Sequence, residues 1–377
     1  MPTRRSVLAL LAAAPALGAC AQHPDPAAAW RNPGAGEEDI RRYALAHAIL
    51  APNPHNRQPW LVSLAGENEI LFRADTERLL PATDPFDRQI TIGCGAFLEL
   101  LDIACRERGR RAEITLFPEG EPQPRLDQRP IAHIRITDDP AERDPLFAHI
   151  LNRRTNREQF ETRVPDNATM AEIGESALRP GNASSVSIDQ VEGGALRDQL
   201  RQLAWDAFER EFRTPAAHGE TVALLRVGEG EIAEHRDGIA LRGPMIEFAR
   251  AVGLVNRRTL ADIENSQTRD GLMAWRPLAL DAPAFIWLTT STNTRAEQIA
   301  AGAAYVRMNL AATARGLSMH PWSQALQEYP EMAALHTRAE ELLGAEGEAR
   351  VQMFARVGYG PTIGPSPRRG LAEHIRA

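Results

Sequence analysis

The sequence predicts a protein of mixed helices and strands that is built from two related halves. Two long segments with helical apolar spacing, at about 88–108 and 296–315, each end at a glycine, Gly109 and Gly316. The segments match when one is shifted by 207 positions, which indicates a duplicated unit. The matched pairs are Ile92 and Ile299, Gly95 and Gly302, Ala96 and Ala303, Ala104 and Ala311, and Arg108 and Arg315. Small residues on one helix face allow the close contact that a pseudo-twofold axis requires, although two alanine-rich helices can also match by chance.

The N-terminus, residues 1–20, predicts a twin-arginine signal peptide. Arg4 and Arg5 precede an apolar run from Val7 to Leu17, which is too short to span a bilayer of ~30 Å. Twin-arginine signals export folded proteins, which suits a protein that takes up a cofactor in the cytoplasm. We therefore expect a periplasmic or cell-envelope protein. A short apolar tail with chance arginines is the alternative.

The signal peptide ends in a sequence that resembles a lipobox, Leu17 to Cys20. A lipid on Cys20 would be the chain's only attachment to a membrane. Cleavage near Ala19 without a lipid is the alternative. Residues 21–36 are rich in Pro, Ala and Gly, which predicts a tether.

The first half, 37–140, begins with a helix predicted at about 37–50, which the prolines Pro52 and Pro54 bring to an end. Further strands are predicted at 60–64, 70–73, 112–117 and 131–137, with the helix 88–108 between the second and third of them. Cys94 and Cys105 lie eleven residues apart in that helix. At roughly 16 Å they are too distant for a disulfide, so we expect two small buried residues.

The second half, 141–377, contains a long helical segment at about 195–275 that has no counterpart in the first half. We interpret this segment as an insertion or lid. Strands are predicted at 185–191, 284–290 and 351–357, and a small-residue helix at 296–315.

The segment 51–60 (Ala-Pro-Asn-Pro-His-Asn-Arg-Gln-Pro-Trp) combines prolines with a dense polar cluster. Its prolines favour an extended backbone whose polar groups do not pair locally. Asn56 and Gln58 each offer donors and an acceptor, which suit the edge of a heteroaromatic ring. A well-capped loop between a helix and a strand is the alternative.

A second cluster places Arg153, Arg154 and Arg157 beside Thr155, ahead of Phe160. A guanidinium can bind two phosphate oxygens at once, so the cluster suits a phosphate. Taken alone, such a run is more often a solvated charged surface.

The third candidate is the loop from Gly316 to Ser323, whose glycine and proline can shape a backbone that presents amides to a ligand. Arg368 and Arg369 near the C-terminus add positive charge to a ligand site or, alternatively, belong to a frayed basic tail.

Composition and missing motifs exclude several other classes. The chain has 377 residues, enough for two core-forming units or one large fused unit, with 43% apolar and 25% charged residues. A net charge of −7 argues against a nucleic-acid partner. Lysine is absent, so an anion site must use arginine or backbone amides. Walker, Rossmann and Gly-x-Ser-x-Gly motifs and metal-ligand spacings are also missing, so we expect no metal site.

At these residues the chain resembles the nitroreductase superfamily, and most closely its fused, single-chain Acg-type branch. The flavin loop of the family reads roughly Ala-Pro-Ser-x-x-Asn-x-Gln-Pro-Trp, which corresponds to 51–60 with Asn53 in place of Ser. The pair His55-Asn56 is typical of the Acg-type branch.

The phosphate motif of the family, Arg-x-Ser-x-Arg or Lys before an aromatic residue, corresponds to 153–157 with Phe160. The late helix with its Gly-Leu turn and the Gly-Tyr ending correspond to 302–317 and 358–360. The resemblance covers nearly all of the chain that follows the signal peptide.

The resemblance implies an α+β fold, two pseudo-symmetric nitroreductase-like halves that form an internal pseudo-dimer, each with a mainly antiparallel sheet flanked by helices. In ordinary members each of two flavin sites takes arginines from one chain and the loop from the other. This sequence has one copy of each motif, in opposite halves. The resemblance therefore implies one composite FMN site between the halves, an empty second pseudo-site and a monomer.

By the same resemblance, Arg153 and Arg157 hold the FMN phosphate, with Arg368 or Arg369 assisting. Asn56 and the backbone of Pro52–Pro54 meet the flavin, and the late loop runs along the ring near its reactive nitrogen. The cofactor-binding residues so implied are Pro52, Asn53, Pro54, Asn56, Gln58, Arg153, Thr155, Arg157, Met319, His320, Pro321, Trp322, Ser323, Arg368 and Arg369. No catalytic side chain is assigned, because the flavin itself carries the redox chemistry.

The implied function is an FMN-dependent oxidoreductase that acts on a small quinone-like or nitroaromatic acceptor. A non-enzymatic protein that stores or sequesters FMN is the alternative, because the segment 195–275 can close over the flavin and export removes the usual nicotinamide donors. A lipoprotein that kept the fold and lost the flavin is a third possibility, against which the intact Arg153, Arg157 and Asn56 argue.

Overall fold

The computed structural model describes residues 24–178 and 186–376. The predicted signal peptide and lipobox (1–20) and the start of the predicted tether therefore lie outside the described residues, as do 179–185. Within the described ranges, no helix combines the length and the apolar character that crossing a membrane requires.

The first half forms an antiparallel sheet with the strand order β1-β2-β4-β3. Its strands are β1 (Trp60–Ala65), β2 (Glu69–Ala74), β3 (Arg111–Leu116) and β4 (Ala132–Thr137). Two helices pack against it, α1 (Ile40–Ala48) and α2 (Arg88–Glu107). All six were predicted within a few residues. Helix α1 starts later than expected because Asp39, in an extended conformation, caps it by accepting a hydrogen bond from the Arg41 amide.

The second half repeats this arrangement, with the antiparallel strand order β5-β8-β10-β9. The strands are β5 (Val186–Val191), β8 (Ala284–Thr290), β9 (Ser318–Pro321) and β10 (Arg350–Gly358). The helices are α3 (Asn167–Ala177), α10 (Arg295–Ala314) and α11 (Ala333–Leu342). The order matches that of the first sheet strand for strand, which supports the duplication and the α+β fold class.

Three elements of the second half differ from the sequence-based expectation, among them helix α11, which was not predicted. Ser318–Pro321 was assigned to a loop but is strand β9, which pairs with β10 and buries Met319 completely. Helix α3 was not predicted, and it begins where Asp166 accepts a hydrogen bond from the Thr169 amide.

Helices α2 and α10 cross at the two glycines that the internal match had paired. A Cβ added to Gly95 would overlap the carbonyl oxygen of Ile299, and one added to Gly302 would overlap that of Ile92. The contact is thus reciprocal, as a pseudo-twofold axis between the halves requires.

A second reciprocal contact involves the arginines at the first positions of these helices, which the same shift relates. Arg88 donates to the Gln352 carbonyl of the second half at 2.9 Å. Arg295 donates to the Pro124 carbonyl of the first half at 2.9 Å. Both arginines are buried, so a pair of buried hydrogen bonds joins the two halves.

The predicted insertion lies between β5 and β8, where the first half has only the tight turn between β1 and β2. Its elements are α4 (Gly194–Arg213), α5 (Pro215–Leu224), β6 (Leu225–Val227), α6 (Gly228–His235), β7 (Ile239–Leu241), α7 (Pro244–Ala251), α8 (Arg257–Ala261) and α9 (Ser266–Leu280). Helices α4 and α9 join the second sheet in an apolar cluster that includes Trp205, Phe285 and Trp322. The domain limits 37–140, 141–377 and 195–275 stay predictions.

The main apolar core runs through both halves without a break. Cys94 and Cys105 lie in it, buried and free, which confirms the prediction of two small buried residues. Burial raises the pKa of both thiols to about 12, so neither is a reactive thiolate at neutral pH.

Candidate functional site

The loop that follows α1 has an unusual backbone. His55, Asn56 and Gln58 have φ values of 47°, 52° and 50°, in the left-handed region that few residues other than glycine adopt. Such conformations cost about 1–3 kcal/mol each and persist only where the surroundings enforce them, most often at functional sites.

Hydrogen bonds of the polar side chains in this loop hold its backbone in these conformations. The Asn53 Oδ1 accepts a hydrogen bond from the Gln58 amide at 2.7 Å. The fully buried Gln58 side chain donates to the Arg236 carbonyl at 2.8 Å and accepts from the Arg369 amide at 2.9 Å. Asn56 donates to the Pro367 carbonyl at 3.0 Å. These amides are thus used within the protein, and their predicted contact with a flavin ring stays a prediction.

The prolines of the predicted site shape the same segment. Pro54 stands at the first position of a short 3-10 helix (Pro54–Asn56), where a missing N–H costs nothing. Pro52 is buried and Pro54 is half-buried.

Three arginines converge on one aromatic ring, that of Trp30. The guanidinium carbons of Arg153, Arg154 and Arg368 lie 5.9, 4.8 and 5.3 Å from its centroid. Arg153 and Arg368 also both donate to the Leu50 carbonyl, at 3.3 and 3.4 Å. We call these three residues the arginine cluster.

The arginine cluster lacks a counterion: in the parts of the chain that the structure describes, none of the three forms a salt bridge with a carboxylate. Burial lowers the pKa of Arg153 to about 10, and burial with repulsion from the other two lowers that of Arg368 well below its usual value. Guanidiniums nevertheless remain charged in proteins, so the lowered pKa values measure an electrostatic penalty. A bound anion would relieve that penalty.

Trp30 belongs to the predicted tether, yet it is only 6% exposed. Its indole donates to the Ser366 carbonyl at 2.8 Å, and the Arg368 amide donates to the Pro26 carbonyl at 2.9 Å. The described part of the predicted tether is therefore packed against the C-terminal tail at this point. No sequence signal pointed to Trp30 as a site residue.

Arg157 of the second half lies close enough to His55 of the first half to lower the pKa of its imidazole. The Arg157 side chain is exposed, yet the protein packed around it lowers its pKa, and we call the space beside Arg157 and His55 the recess. Burial, then Arg157 and Arg57, lower the pKa of His55 to about 4, so this imidazole is neutral at pH 7. The His55 Nδ1 is buried and has no partner among the described residues.

The remaining predicted site residues lie in strand β9, directly after it, or beside it at Thr155. Thr155 forms a bridge with Met319, and the Asn156 amide donates to the Met319 carbonyl at 3.1 Å. Met319 and Trp322 are core side chains, and the Trp322 indole donates to the Ala204 carbonyl at 2.8 Å. Met319 and Trp322 were both predicted to contact the ligand, but their side chains pack in the core. Only the backbone atoms of these two residues would reach a ligand.

His320, Pro321 and Ser323 differ from those two core residues. The His320 Nδ1 accepts a hydrogen bond from Arg356 at 3.1 Å, and burial, Arg356 and Arg157 hold its pKa well below the usual value. Pro321 and Ser323 are half-buried, and the Ser323 hydroxyl has no described partner. These residues stay candidates for contact with a ring.

The C-terminal tail packs against the strained loop, so the alternative of a frayed basic tail is wrong. Arg368 is 3% and Arg369 is 6% exposed. Arg369 donates to the Gln58 carbonyl at 2.8 Å, and Arg368 donates to the Ala51 carbonyl at 3.1 Å and to the Asn56 side chain. These hydrogen bonds fix the strained loop against the C-terminal tail.

Sequence reasoning missed Arg356, which is fully buried in the middle of β10. Its guanidinium lies 4.1 Å from the centre of the Phe160 ring and donates to the Glu158 carbonyl at 2.8 Å. Burial lowers its pKa to about 9. A lone arginine inside the apolar run 351–357 was the signal that could have revealed it.

The insertion touches the strained loop directly. The Gly238 amide donates to the Asn56 carbonyl at 3.2 Å, and His55 Nε2 lies 3.3 Å from the Thr221 hydroxyl. Asp237 fastens this region by accepting from Arg78 at 2.8 Å and from Arg226 at 2.9 Å. The segment 221–238 therefore covers the loop from the insertion side.

A family model described as the nitroreductase family matches residues 150–359, more than half of the chain. Two relatives from Mycobacterium tuberculosis, each named "Putative NAD(P)H nitroreductase", align along most of their length. One is 28% identical over 341 residues (89% of this chain and 90% of that protein), and the other, named acg, is 27% identical over 350 residues (90% and 96%). Among solved structures, the FMN-dependent nitroreductase NfnB from Mycobacterium smegmatis in complex with NADPH is 22% identical, with coverage of 60% and 94% and a TM-score of 0.36.

The family model matches most of the second half of this chain. The same chain contains the paired sheets, the strained loop and the arginine cluster. The chain belongs to the nitroreductase family and is an oxidoreductase of that family.

Proposed function

We infer that the chain is an FMN-dependent oxidoreductase that passes electrons from a nicotinamide donor to a small quinone-like or nitroaromatic acceptor. The observation that carries this proposal is the arginine cluster, in which Arg153 and Arg368 are buried and Arg154 is half-buried, without a carboxylate partner in the described structure. A phosphate monoester is the natural counterion of such a cluster, because arginine binds phosphate oxygens in pairs.

The residues fit this cofactor at its phosphate end. Arg153 Nη1, Arg154 Nε and Arg368 Nε are buried donors with no partner among the described residues. Phosphate oxygens accept hydrogen bonds without donating any to these cations. The predicted phosphate contact through Arg153 and Arg368 is therefore supported by free donors as well as by charge.

Arg157 and His55 fit further polar groups of the cofactor. Arg157, which is predicted to hold the phosphate with Arg153, adds a cation, and the unpartnered His55 Nδ1 offers one donor or acceptor to a polar ring edge. A positive charge in a partly desolvated site stabilises negative charge that gathers on a bound group. When bound, FMN supplies the hydride and electron transfer, while the chain binds, orients and shields it.

The nicotinamide donor in this proposal rests on the names of the two mycobacterial relatives. One observation favours the second candidate, a protein that stores or sequesters FMN. Thr221, Arg236 and Gly238 of the insertion contact the strained loop, so access for a donor or an acceptor is restricted on that side.

The test uses the purified chain and its visible spectrum under argon, before and after addition of NADH, NADPH or a quinol. A yellow protein that a donor bleaches, and that menadione or a nitroaromatic compound turns yellow again, supports the oxidoreductase. A yellow protein that only dithionite bleaches supports sequestration. A colourless protein that takes up no added FMN contradicts both.

A matched pair of variants links the spectrum to the site. Arg153→Ala removes one charge-assisted contact, worth about 1.5–3 kcal/mol, so the dissociation constant of FMN should rise by about 10- to 100-fold. Arg163→Ala removes an exposed arginine that packs on Tyr359 at 4.0 Å, and it should leave the constant unchanged.

A further inference from the structure

We propose that Glu211, Thr221 and His55 form a proton-transfer chain that delivers a proton to the cofactor recess at the His55 Nδ1. The proposal rests on the proposed function, because the proton is needed where an acceptor is reduced. A quinone becomes a quinol, and a nitro group a nitroso compound, only by taking up protons along with electrons. The proton-transfer chain supplies one of these protons to the recess.

The three side chains are in hydrogen-bond contact in sequence. The His55 Nε2 lies 3.3 Å from the Thr221 hydroxyl, which lies 3.4 Å from Glu211 Oε1. Glu211 Oε2 accepts from the Gln327 amide at 2.7 Å, so the carboxyl is held in place on its far side. The path crosses from α4 through α5 to the strained loop.

Both ends of the path have the properties that a proton relay needs. Glu211 is 8% exposed, and burial raises its pKa to about 7, against the lowering effect of the hydrogen bonds from Gln327 and Thr221. The titratable neighbours that face it are Glu220, whose charge raises its pKa further, and Tyr329. The carboxyl is therefore close to half protonated at neutral pH.

His55 does not store the proton itself. Burial and the charges of Arg157 and Arg57 keep its pKa at about 4, so the ring stays neutral. A neutral imidazole still transfers a proton by exchanging one tautomer for the other. Its Nδ1, which has no partner among the described residues, is the outlet.

The protonation state of Glu211 sets the tautomer of His55. When the carboxylate is ionised, the Thr221 hydroxyl donates to it, the His55 Nε2–H donates to the hydroxyl, and Nδ1 is a bare acceptor. When Glu211 is protonated, its O–H donates to the hydroxyl, which donates to Nε2, so Nδ1 carries the hydrogen.

Delivery conserves every proton. The Nδ1–H bond breaks towards the reacting group while the Thr221 proton moves to Nε2 and the Glu211 proton moves to Thr221. The result is an ionised Glu211 and the other tautomer of His55. The reset takes two steps. A proton from solvent returns to Glu211, and the imidazole then loses its Nε2 hydrogen and takes up one at Nδ1, so one proton in total is taken up per cycle.

The test is the tautomer of His55 as a function of pH, which does not depend on activity or on bound FMN. Nitrogen-15 NMR of histidine-labelled protein distinguishes the two ring nitrogens, and His55→Gln identifies the signals. In the native chain the tautomer should switch between about pH 5 and pH 9, with a midpoint near that of Glu211. A tautomer that stays constant over this range, in protein with native circular dichroism, would overturn the proposal.

Variants separate the relay from a structural role. Glu211→Gln and Thr221→Val should abolish the pH dependence of the tautomer, while Thr221→Ser should keep it. Glu340→Gln is the matched control, because Glu340 is a buried carboxyl with a raised pKa in α11 that accepts from the Val351 amide and has no link to His55. A switch that persists in Glu211→Gln overturns the assignment of the proton source.

In the FMN-loaded protein, Glu211→Gln should slow the acceptor half-reaction by about 100-fold with KM unchanged, and Thr221→Ser should retain the native rate. Failure of the relay and failure of the proposed function are distinguishable. A reducible yellow protein with a fixed tautomer contradicts the relay alone. A colourless protein contradicts the proposed function, whatever the tautomer does.

Discussion

Gly302→Ala tests the reciprocal contact on which the site depends, because the recess lies between halves that meet where α2 and α10 cross. An added Cβ would overlap the Ile92 carbonyl oxygen, and it would lie 2.8 Å from the Ile92 carbonyl carbon and 2.9 Å from the Ala96 nitrogen. All three are backbone atoms, so only a movement of the helices relieves the overlap. Overpacking costs about 1–3 kcal/mol, and the upper end applies to rigid backbone.

The substitution also brings a gain, since alanine is favoured over glycine in a helix by about 1 kcal/mol. The net loss expected for Gly302→Ala is thus about 2 kcal/mol. The control is Gly271→Ala in the middle of α9, where an added Cβ meets nothing within 4 Å. That variant should gain up to about 1 kcal/mol, so the two substitutions should differ in sign.

The assay is urea denaturation followed by circular dichroism, with FMN uptake measured on the same samples. Parting the helices also disturbs the contact of Arg153 with the Leu50 carbonyl, so weaker FMN uptake should accompany the loss of stability. A Gly302→Ala protein as stable as Gly271→Ala would refute a close crossing at this point.

Three further outcomes concern charge and location. Burial alone would raise the pKa of Asp237, but Arg78 and Arg226 hold it below its usual value, so its contribution is present above about pH 4 and is lost at lower pH. Asp237→Asn should therefore cost about 3 kcal/mol or more at neutral pH and flatten the acid limb of the stability profile, measured by denaturation at several pH values. For Glu211 the sign is opposite: burial raises its pKa to about 7, so stability should fall by about 3 kcal/mol as the pH rises from about 4 to 7, and Glu211→Gln should remove that slope. If the predicted lipid is present, Cys20→Ala should move the protein from the membrane pellet to the soluble periplasmic fraction on cell fractionation, and an unchanged distribution would contradict lipidation.

The sequence predicted most of the fold because the apolar spacing of each element and the residues that end it stand close together in the chain. The apolar spacing of α2 and α10 and the glycines that follow them are visible in the chain itself. Strand β9 was assigned to a loop because four residues with one proline carry no periodic signal, and only pairing with β10 makes them a strand.

The site was predictable to the extent that it consists of motifs. The structure places Arg153 and Arg368 against the Leu50 carbonyl at the start of the strained loop, while the contact of these segments with FMN stays a prediction. The roles within these motifs were less visible, because Asn56 and Gln58 offer the same groups to a ligand and to a neighbouring backbone.

Residues that reach the site from distant segments left no local signal. Trp30 stands in a stretch with the composition of a tether, and Thr221 and Glu211 stand in an insertion without a motif. Their contacts arise only from tertiary packing, so a single sequence does not reveal them.

Titration calorimetry of the FMN-free chain with FMN tests the composite site most directly. One FMN should bind per chain, with an affinity that falls as salt concentration rises and that drops by about 10- to 100-fold in Arg153→Ala but not in Arg163→Ala. Two FMN molecules per chain, or one whose affinity is equal in both variants, would contradict a single site closed by the arginine cluster.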